Sequence, residues 1–208
     1  MKIRVYRREA TDISYRQIVD LLHDSFQERL EQGLYYTCSF LTEEKYIQKT
    51  QEAIIFVAID EDTKEFVGTN TLMIFSDKNR KKYGYMEYVA ISNTCKRSGV
   101  GTLLIDSLHK EAESQHCSFV LSDTSTKAES AVRYHLKNGF KIVGLESYRS
   151  TNYWSYVFRM QLAPSLLWNN TVFIKLKFLC SFLFIKATRN IDGTDTWIGK
   201  LYKKFLGS

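Results

Sequence analysis

The chain has 208 residues, enough to bury one good core, or a domain of roughly 150 residues with an appendage, but not two full domains. With 44% hydrophobic residues, 14% aromatics and a single proline it reads as a folded protein, without internal repeats or low-complexity tracts. The net charge of +6 is uneven: residues 162–208 hold seven Lys or Arg against two acids, which leaves the first 161 residues nearly neutral. Basicity confined to an apolar, aromatic appendage speaks against nucleic acid as a partner and suits a membrane surface or a protein partner better. The start MKIRVYRREA lacks the apolar core of a signal peptide, so a cytoplasmic protein is expected. Cys38, Cys95, Cys117 and Cys180 are widely scattered with no Cys-x-x-Cys pair, which points to reduced thiols and to neither a disulfide framework nor a metal site.

Lys2 to Tyr6 alternates like a half-buried strand, and Ser14 to Phe26 then places Ile18, Leu21, Leu22 and Phe26 at helical spacing. After the aromatic stretch at Tyr35 and Tyr36, a short helix is expected to open at Thr42, with Glu43 and Glu44 near its positive end. Ala53–Ile59 and Phe66–Ser76, separated by the turn residues Asp60 to Lys64, predict a hairpin. The charged run Asp77 to Lys82 predicts a loop, Tyr85–Ile91 a third strand, and Val100–Gln115 an amphipathic helix with Leu103, Leu104, Leu108 and Ala112 inward. A short strand at Phe119–Leu121, a helix from Ala128 to Lys137 stopped by Asn138-Gly139, and strands near Phe140–Tyr148 and Trp154–Gln161 complete the order. The expected fold class is α+β, one mixed sheet with flanking helices, over residues 1–161, followed by a basic, aromatic-rich C-terminal extension over 162–208.

The junction between the third strand and the next helix is the informative one. Gly99 and Gly101 at a helix opening leave backbone N–H groups uncovered at the positive end of the helix dipole, a place where a pyrophosphate fits, with Lys96 and Arg97 supplying cations. Glycines chosen only for turn geometry would look the same. A dinucleotide fingerprint is excluded because Leu104 stands where its third glycine belongs, and an NTPase phosphate loop because Gly-Lys-Ser/Thr is absent.

Val89 to Leu104 (VAISNTCKRSGVGTLL) resembles the acetyl-coenzyme A signature of the GNAT superfamily, in which a strand end and short loop lead into Arg/Gln-x-x-Gly-x-Gly/Ala. Lys96 departs from the usual first residue but keeps a cation. Ala131 to Phe140 (AVRYHLKNGF) resembles the family's second segment, a helix ending in Gly-Phe. The resemblance covers residues 1–161 and implies a GNAT fold and acetyl-CoA as co-substrate, with no metal. It further implies that the strands holding Val89 and Phe119 splay apart for the pantetheine arm, which pairs with backbone at Val89, Ala90 and Ile91. The implied phosphate contacts are Lys96, Arg97, Ser98, Gly99, Val100, Gly101 and Thr102. A backbone N–H near Val89 would polarise the thioester carbonyl.

Transfer to an amine requires a neutral nucleophile, so a base is needed. Alternation places Glu87 on the same strand face as Tyr85 and Val89, and by resemblance a glutamate there serves as base or orders a water. The competing reading is a carboxylate that only pairs with a basic neighbour. The family's usual acid, a tyrosine four residues before the Gly of Gly-Phe, is replaced here by His135, with Tyr134 one place earlier. Adjacent helical residues point about 100° apart, so only one of the two can face the sulfur, and the choice between them stays open. An asparagine often found earlier in that segment is replaced in the neighbourhood of Ala128, and Cys95 is read as a bystander.

Nothing in the sequence names the acceptor. Tyr35 and Tyr36 are the candidate substrate-binding residues, with core packing as their alternative use. The leading reading is an N-acetyltransferase acting on an amino sugar or another small-molecule or glycan amine. The alternatives are protein or peptide N-acetylation, and a non-catalytic acyl-CoA-binding or interaction protein. Val172–Ile185 is too short, and with Lys175 and Lys177 too charged, to span a bilayer, which takes about twenty apolar residues. It fits either an interfacial helix at the inner membrane face or packing on the domain or on a second subunit as a homodimer.

Overall fold

In the computed structural model, which describes residues 1–206, seven strands form one sheet in the order β1-β2-β3-β4-β5-β7-β6. The strands are β1 (Ile3–Arg7), β2 (Ile54–Asp60), β3 (Phe66–Ser76), β4 (Lys82–Ile91), β5 (Phe119–Ser125), β6 (Lys141–Ser147) and β7 (Trp154–Gln161). The helices are α1 (Tyr15–Glu31), α2 (Glu43–Thr50), α3 (Val100–Ser114), α4 (Glu129–Lys137), α5 (Leu166–Asn169), α6 (Thr171–Thr188) and α7 (Trp197–Leu206). Strands β1 to β4 and the β6–β7 pair are antiparallel, whereas α3 is the kind of crossover that joins parallel neighbours such as β4 and β5, so the sheet is mixed. This is the expected α+β class.

Two compact units make up the chain, one of Met1–Gln32 with Thr37–Val120, the other of Gly33–Tyr36 with Leu121–Ser208. In the first, α1 starts at a reciprocal cap: Ser14 Oγ accepts from Gln17 N at 3.2 Å and Gln17 Oε1 accepts from Ser14 N at 2.9 Å. Its Ile18, Val19 and Leu22 pack with Tyr46 of α2, Val57 of β2 and Tyr88 and Ala90 of β4. Each of the isoleucine, leucine and valine side chains among them, fully buried, contributes about 1.5–3 kcal/mol. Tyr46 is wholly buried, its hydroxyl 3.3 Å from Thr71 Oγ1 and its ring edge-on to those of Tyr15 and Tyr88.

Two strands are longer than the sequence predicts. β4 begins at Lys82 rather than Tyr85, because the turn of Asp77 closes on itself through Asp77 Oδ1, which accepts from Asn79 N and Lys81 N. Ser76 then pairs Lys82, and the rings of Phe75, Tyr83 and Phe119 stack in a row. β5 continues through the polar residues Ser122 to Ser125, which hid its length.

In the second unit, Asn170 caps α6 by accepting from Val172 N and Phe173 N. The helix lies along β6, the last strand of the sheet, where Ser181 Oγ accepts from Leu145 N at 2.9 Å and donates to Leu145 O at 3.1 Å. A side chain thus satisfies a peptide of the open edge, the position most exposed to unwanted strand pairing.

Candidate active site

β4 leads out of the sheet at Ile91, whose carbonyl accepts from Ser25 Oγ of α1 at 3.1 Å, and Ser92 N donates to Val67 O at 2.9 Å. A single 3-10 turn, Asn93–Cys95, precedes the exposed residues Lys96, Arg97, Ser98 and Gly99. Arg97 and Gly99 both take left-handed backbone, φ 67° and 93°, and Gly99 is the N-cap of α3. The first helical bond runs from Leu103 N to Gly99 O, and no side chain caps the helix start. A Cβ built on Gly99 would meet nothing within 4 Å, so the backbone there faces open space. Ser98 Oγ donates to Cys95 O at 2.6 Å, Val100 and Gly101 are buried, and Thr102 is exposed.

Beside this turn lies an open cleft of about 550 Å³ lined by Asp24, Gln27, Glu28 and Glu31 of α1 and by Ser92, Asn93 and Lys96. One wall is acidic, and Lys96 Nζ is 3.8 Å from Glu28 Oε2 in a solvent-exposed pair. Such an exposed pair is worth little, so it would yield readily to an anion at the helix start. Cys95 is buried beneath the turn, and all four cysteines are free thiols.

The alternation expected along β4 does not hold to its end. Thr71 pairs Glu87 while Thr69 pairs Ala90, so Tyr88 and Val89 together oppose Asn70 in a bulge, with Tyr88 at φ 52°. Glu87 therefore shares its face with Ala90, not with Val89. The Tyr88 hydroxyl donates to the Glu87 carboxylate, and burial together with that charge raises its pKa. Sequence reasoning missed both Tyr88 and the bulge, since a bulge depends on register with the partner strand and leaves no local signature. It also missed Asn70, wholly buried opposite the bulge, with neither amide atom hydrogen-bonded.

In the second unit α4 presents Tyr134 half-buried and His135 almost fully buried. His135 Nδ1 is 2.7 Å from Ala131 O, Nε2 is 2.9 Å from Ser122 Oγ, and the ring stacks on Phe158 at 4.4 Å. Burial pushes its pKa down to about 4, so the imidazole is neutral at pH 7. Tyr134 lies edge-on to it at 5.7 Å. Tyr35 and Tyr36 are held to the β6–β7 loop: Asn152 accepts from Tyr35 N at 2.9 Å and donates to Gly33 O at 2.7 Å. The Tyr36 ring is buried against Tyr153, centroids 4.7 Å apart, while Tyr35 is 51% exposed. Among the described residues no cluster of His, Cys, Asp or Glu could hold a metal ion.

Comparison with known proteins bears on the fold and the family. The structure resembles a chain of the NatC complex bound to Gag peptide and CoA, with TM-score 0.60 and 14% identity over 78% of this chain and 100% of that one. It resembles a GNAT-family acetyltransferase from Streptococcus pneumoniae at TM-score 0.56 and 17% identity, over 78% and 100% of the two chains. A GNAT-family enzyme from Elizabethkingia anophelis with acetyl-CoA bound gives TM-score 0.57 at 14% identity, over 77% and 99%. At such identities these likenesses concern the fold. No curated protein matches the sequence. The profile of the acetyltransferase (GNAT) family matches residues 15–140, more than half of the chain and the whole stretch from α1 through the glycine turn to Phe140, and the chain belongs to that family.

Proposed function

We propose that this chain transfers an acetyl group directly from acetyl-CoA to a primary amine, the acceptor being an amino sugar or another small-molecule amine in the cytoplasm. The observation that carries the reading is the exposed left-handed turn at Gly99, opening α3 without a side-chain cap beside Lys96 and Arg97. Backbone N–H groups at a helix start, the dipole and two cations form a seat for a pyrophosphate. Thr102 adds a hydroxyl donor, Ser98 contributes through its backbone because its hydroxyl proton is held by Cys95 O, and Val100 and Gly101 bring the backbone close.

Bound there, acetyl-CoA supplies an activated thioester carbonyl. The bulge takes backbone groups of Tyr88 and Val89 out of the ladder, which supports pairing of the pantetheine amides with Val89 to Ile91 and an N–H near Val89 as donor to the carbonyl oxygen. Glu87, on the sheet face that carries α1 and α2 and hydrogen-bonded by Tyr88, removes the ammonium proton directly or through a water. Of the two α4 residues, Tyr134 is the better proton donor to the thiolate: the N–H of His135 is given to Ala131 O and its ring carries no proton to spare near neutrality. Tyr35, exposed beside the β6–β7 loop, contributes to the acceptor side, with the buried Tyr36 as its support.

Calorimetric titration with acetyl-CoA tests the assignment. Wild type binds, whereas Gly101→Glu and the surface double variant Lys96→Ala/Arg97→Ala bind weakly or not at all. Absence of binding by folded wild type overturns the reading. Thiol release with amino sugars, polyamines and peptide amines then sorts acceptors: release with peptides alone moves the acceptor to protein amines, and release with none of a broad panel leaves a binding protein without catalysis.

A further inference from the structure

α6 carries large apolar residues on every side, interrupted by Lys175, Lys177 and Lys186, and helices with apolar residues all round are covered all round or lie in lipid. Ile174, Ser181, Ile185 and Thr188 form the side turned to the protein and are half-buried or buried. On the opposite side Val172, Leu176, Leu179 and Leu183 are 74%, 58%, 50% and 59% exposed. The helix is not a loose tail. Asn170 caps its start, Ser181 fixes it to Leu145, and α7 docks on its end, where Gly199 approaches the Thr188 carbonyl more closely than any side chain would allow. Tyr202 meets Phe184 edge-on at 5.4 Å, yet Trp197, Ile198 and Leu201 of α7 stay exposed, Trp197 at 71%. Folded proteins rarely leave so much apolar surface open without a use for it.

The charges around this surface say what covers it. Lys175 flanks the exposed row of α6, and Lys200 and Lys204 flank Trp197 on α7; all three are exposed, whereas Lys186 is turned over the rings of Trp154 and Phe182. The only acids of the extension are engaged already, Asp195 with Arg189 at 3.1 Å and Lys203 at 2.7 Å, Asp192 with Thr194 at 2.6 Å. Among the described residues no carboxylate stands within ion-pair range of those three lysines. A second copy would set this positive face against itself, whereas an anionic bilayer pairs each lysine with a lipid headgroup while the leucines and Trp197 enter the acyl boundary. No helix among the described residues is long and apolar enough to cross a membrane, so the helices lie in its plane.

We infer that α6 and α7 form a docking surface for an anionic lipid bilayer, holding the acetyltransferase at the membrane. The inference stands apart from the acetyl-transfer reading. Full-length protein is tested by flotation with vesicles of phosphatidylcholine alone and of phosphatidylcholine with about one third phosphatidylglycerol, at low and high salt, beside Leu179→Ser/Leu183→Ser and Lys200→Glu/Lys204→Glu. Both pairs are surface residues, so the variants fold, which a thermal melt verifies. Wild type should float with the anionic vesicles only, and each double variant should lower the bound fraction about tenfold or more. Failure of wild type to float, or equal flotation of the variants, overturns the inference. So does light scattering that finds a dimer dissociated by Leu179→Ser/Leu183→Ser, which would make the face a contact between copies.

Discussion

Ser122 Oγ stands 2.9 Å from His135 Nε2, and Ala131 O lies 2.7 Å from Nδ1 on the other side of the ring. A carbonyl can only accept, so Nδ1 carries the proton, Nε2 is the acceptor and Ser122 donates to it. The ring is thus fixed as a neutral imidazole, and burial lowers its pKa from 6.5 to about 4. Below pH 6.5 the unfolded chain takes up a proton that the folded chain refuses. The stability tied to this group is complete above pH 6.5, falls as the pH drops toward 4, and amounts to about 3 kcal/mol. The thermal midpoint of wild type should therefore fall more between pH 7 and pH 5 than that of His135→Gln. Parallel curves for the two proteins would remove His135 from the pH response.

Glu87 and Tyr88 are chain neighbours whose side chains hydrogen-bond only because the bulge turns Tyr88 toward the face of Glu87. On the proposed role of Glu87 as base, Glu87→Gln should lower kcat about a hundredfold or more with acetyl-CoA affinity nearly unchanged. Tyr88→Phe keeps the Glu87 carboxylate and removes one donor to it, so a several-fold loss is expected on the same proposal. Initial rates at saturating amine check both; an unchanged rate in Glu87→Gln assigns proton removal to another group.

What was legible in the sequence were the features whose signal is local. Ser14 before an apolar period, Thr42 before Glu43 and Glu44, and Gly99 before Val100 each state their structure within a few residues, and the element order followed from them. The bulge at Tyr88 was invisible because it is a relation between β4 and β3, and it moved Val89 off the face that alternation assigns it. The end of β5 was hidden because Ser122 looks like a loop residue until its hydroxyl is seen to be spent on His135. The role of His135 itself was undecidable at sequence level, where a buried imidazole and a proton donor are the same letter. In the extension, apolar residues on every side of α6 gave no period from which its docked face could be read.

Ser181 offers one hydroxyl to both the N–H and the C=O of Leu145. Removing it leaves two backbone groups of an edge strand without that partner beneath an apolar helix, a loss of about 1–3 kcal/mol. Ser181→Ala should shift the denaturant midpoint accordingly and speed hydrogen exchange at the Leu145 amide. Exchange as slow as in wild type would mean that α6 protects the edge by cover alone.

Gly99 separates the effect of backbone shape from that of bulk. At φ 93° a residue with a Cβ is strained, yet a Cβ there meets nothing within 4 Å, so a substitution acts through conformation before it acts through contact. A β-branched residue pays about 1–2 kcal/mol to hold left-handed backbone, whereas asparagine tolerates it. Gly99→Val should weaken acetyl-CoA binding about tenfold, with a lower melting temperature in the absence of ligand, and Gly99→Asn should stay within a few-fold of wild type. The ordering Asn above Val is what a backbone seat requires. Equal weakening by both would mean that side-chain bulk at the turn, and not the left-handed peptide, governs access to α3. Wild-type affinity in Gly99→Val would place the phosphates elsewhere.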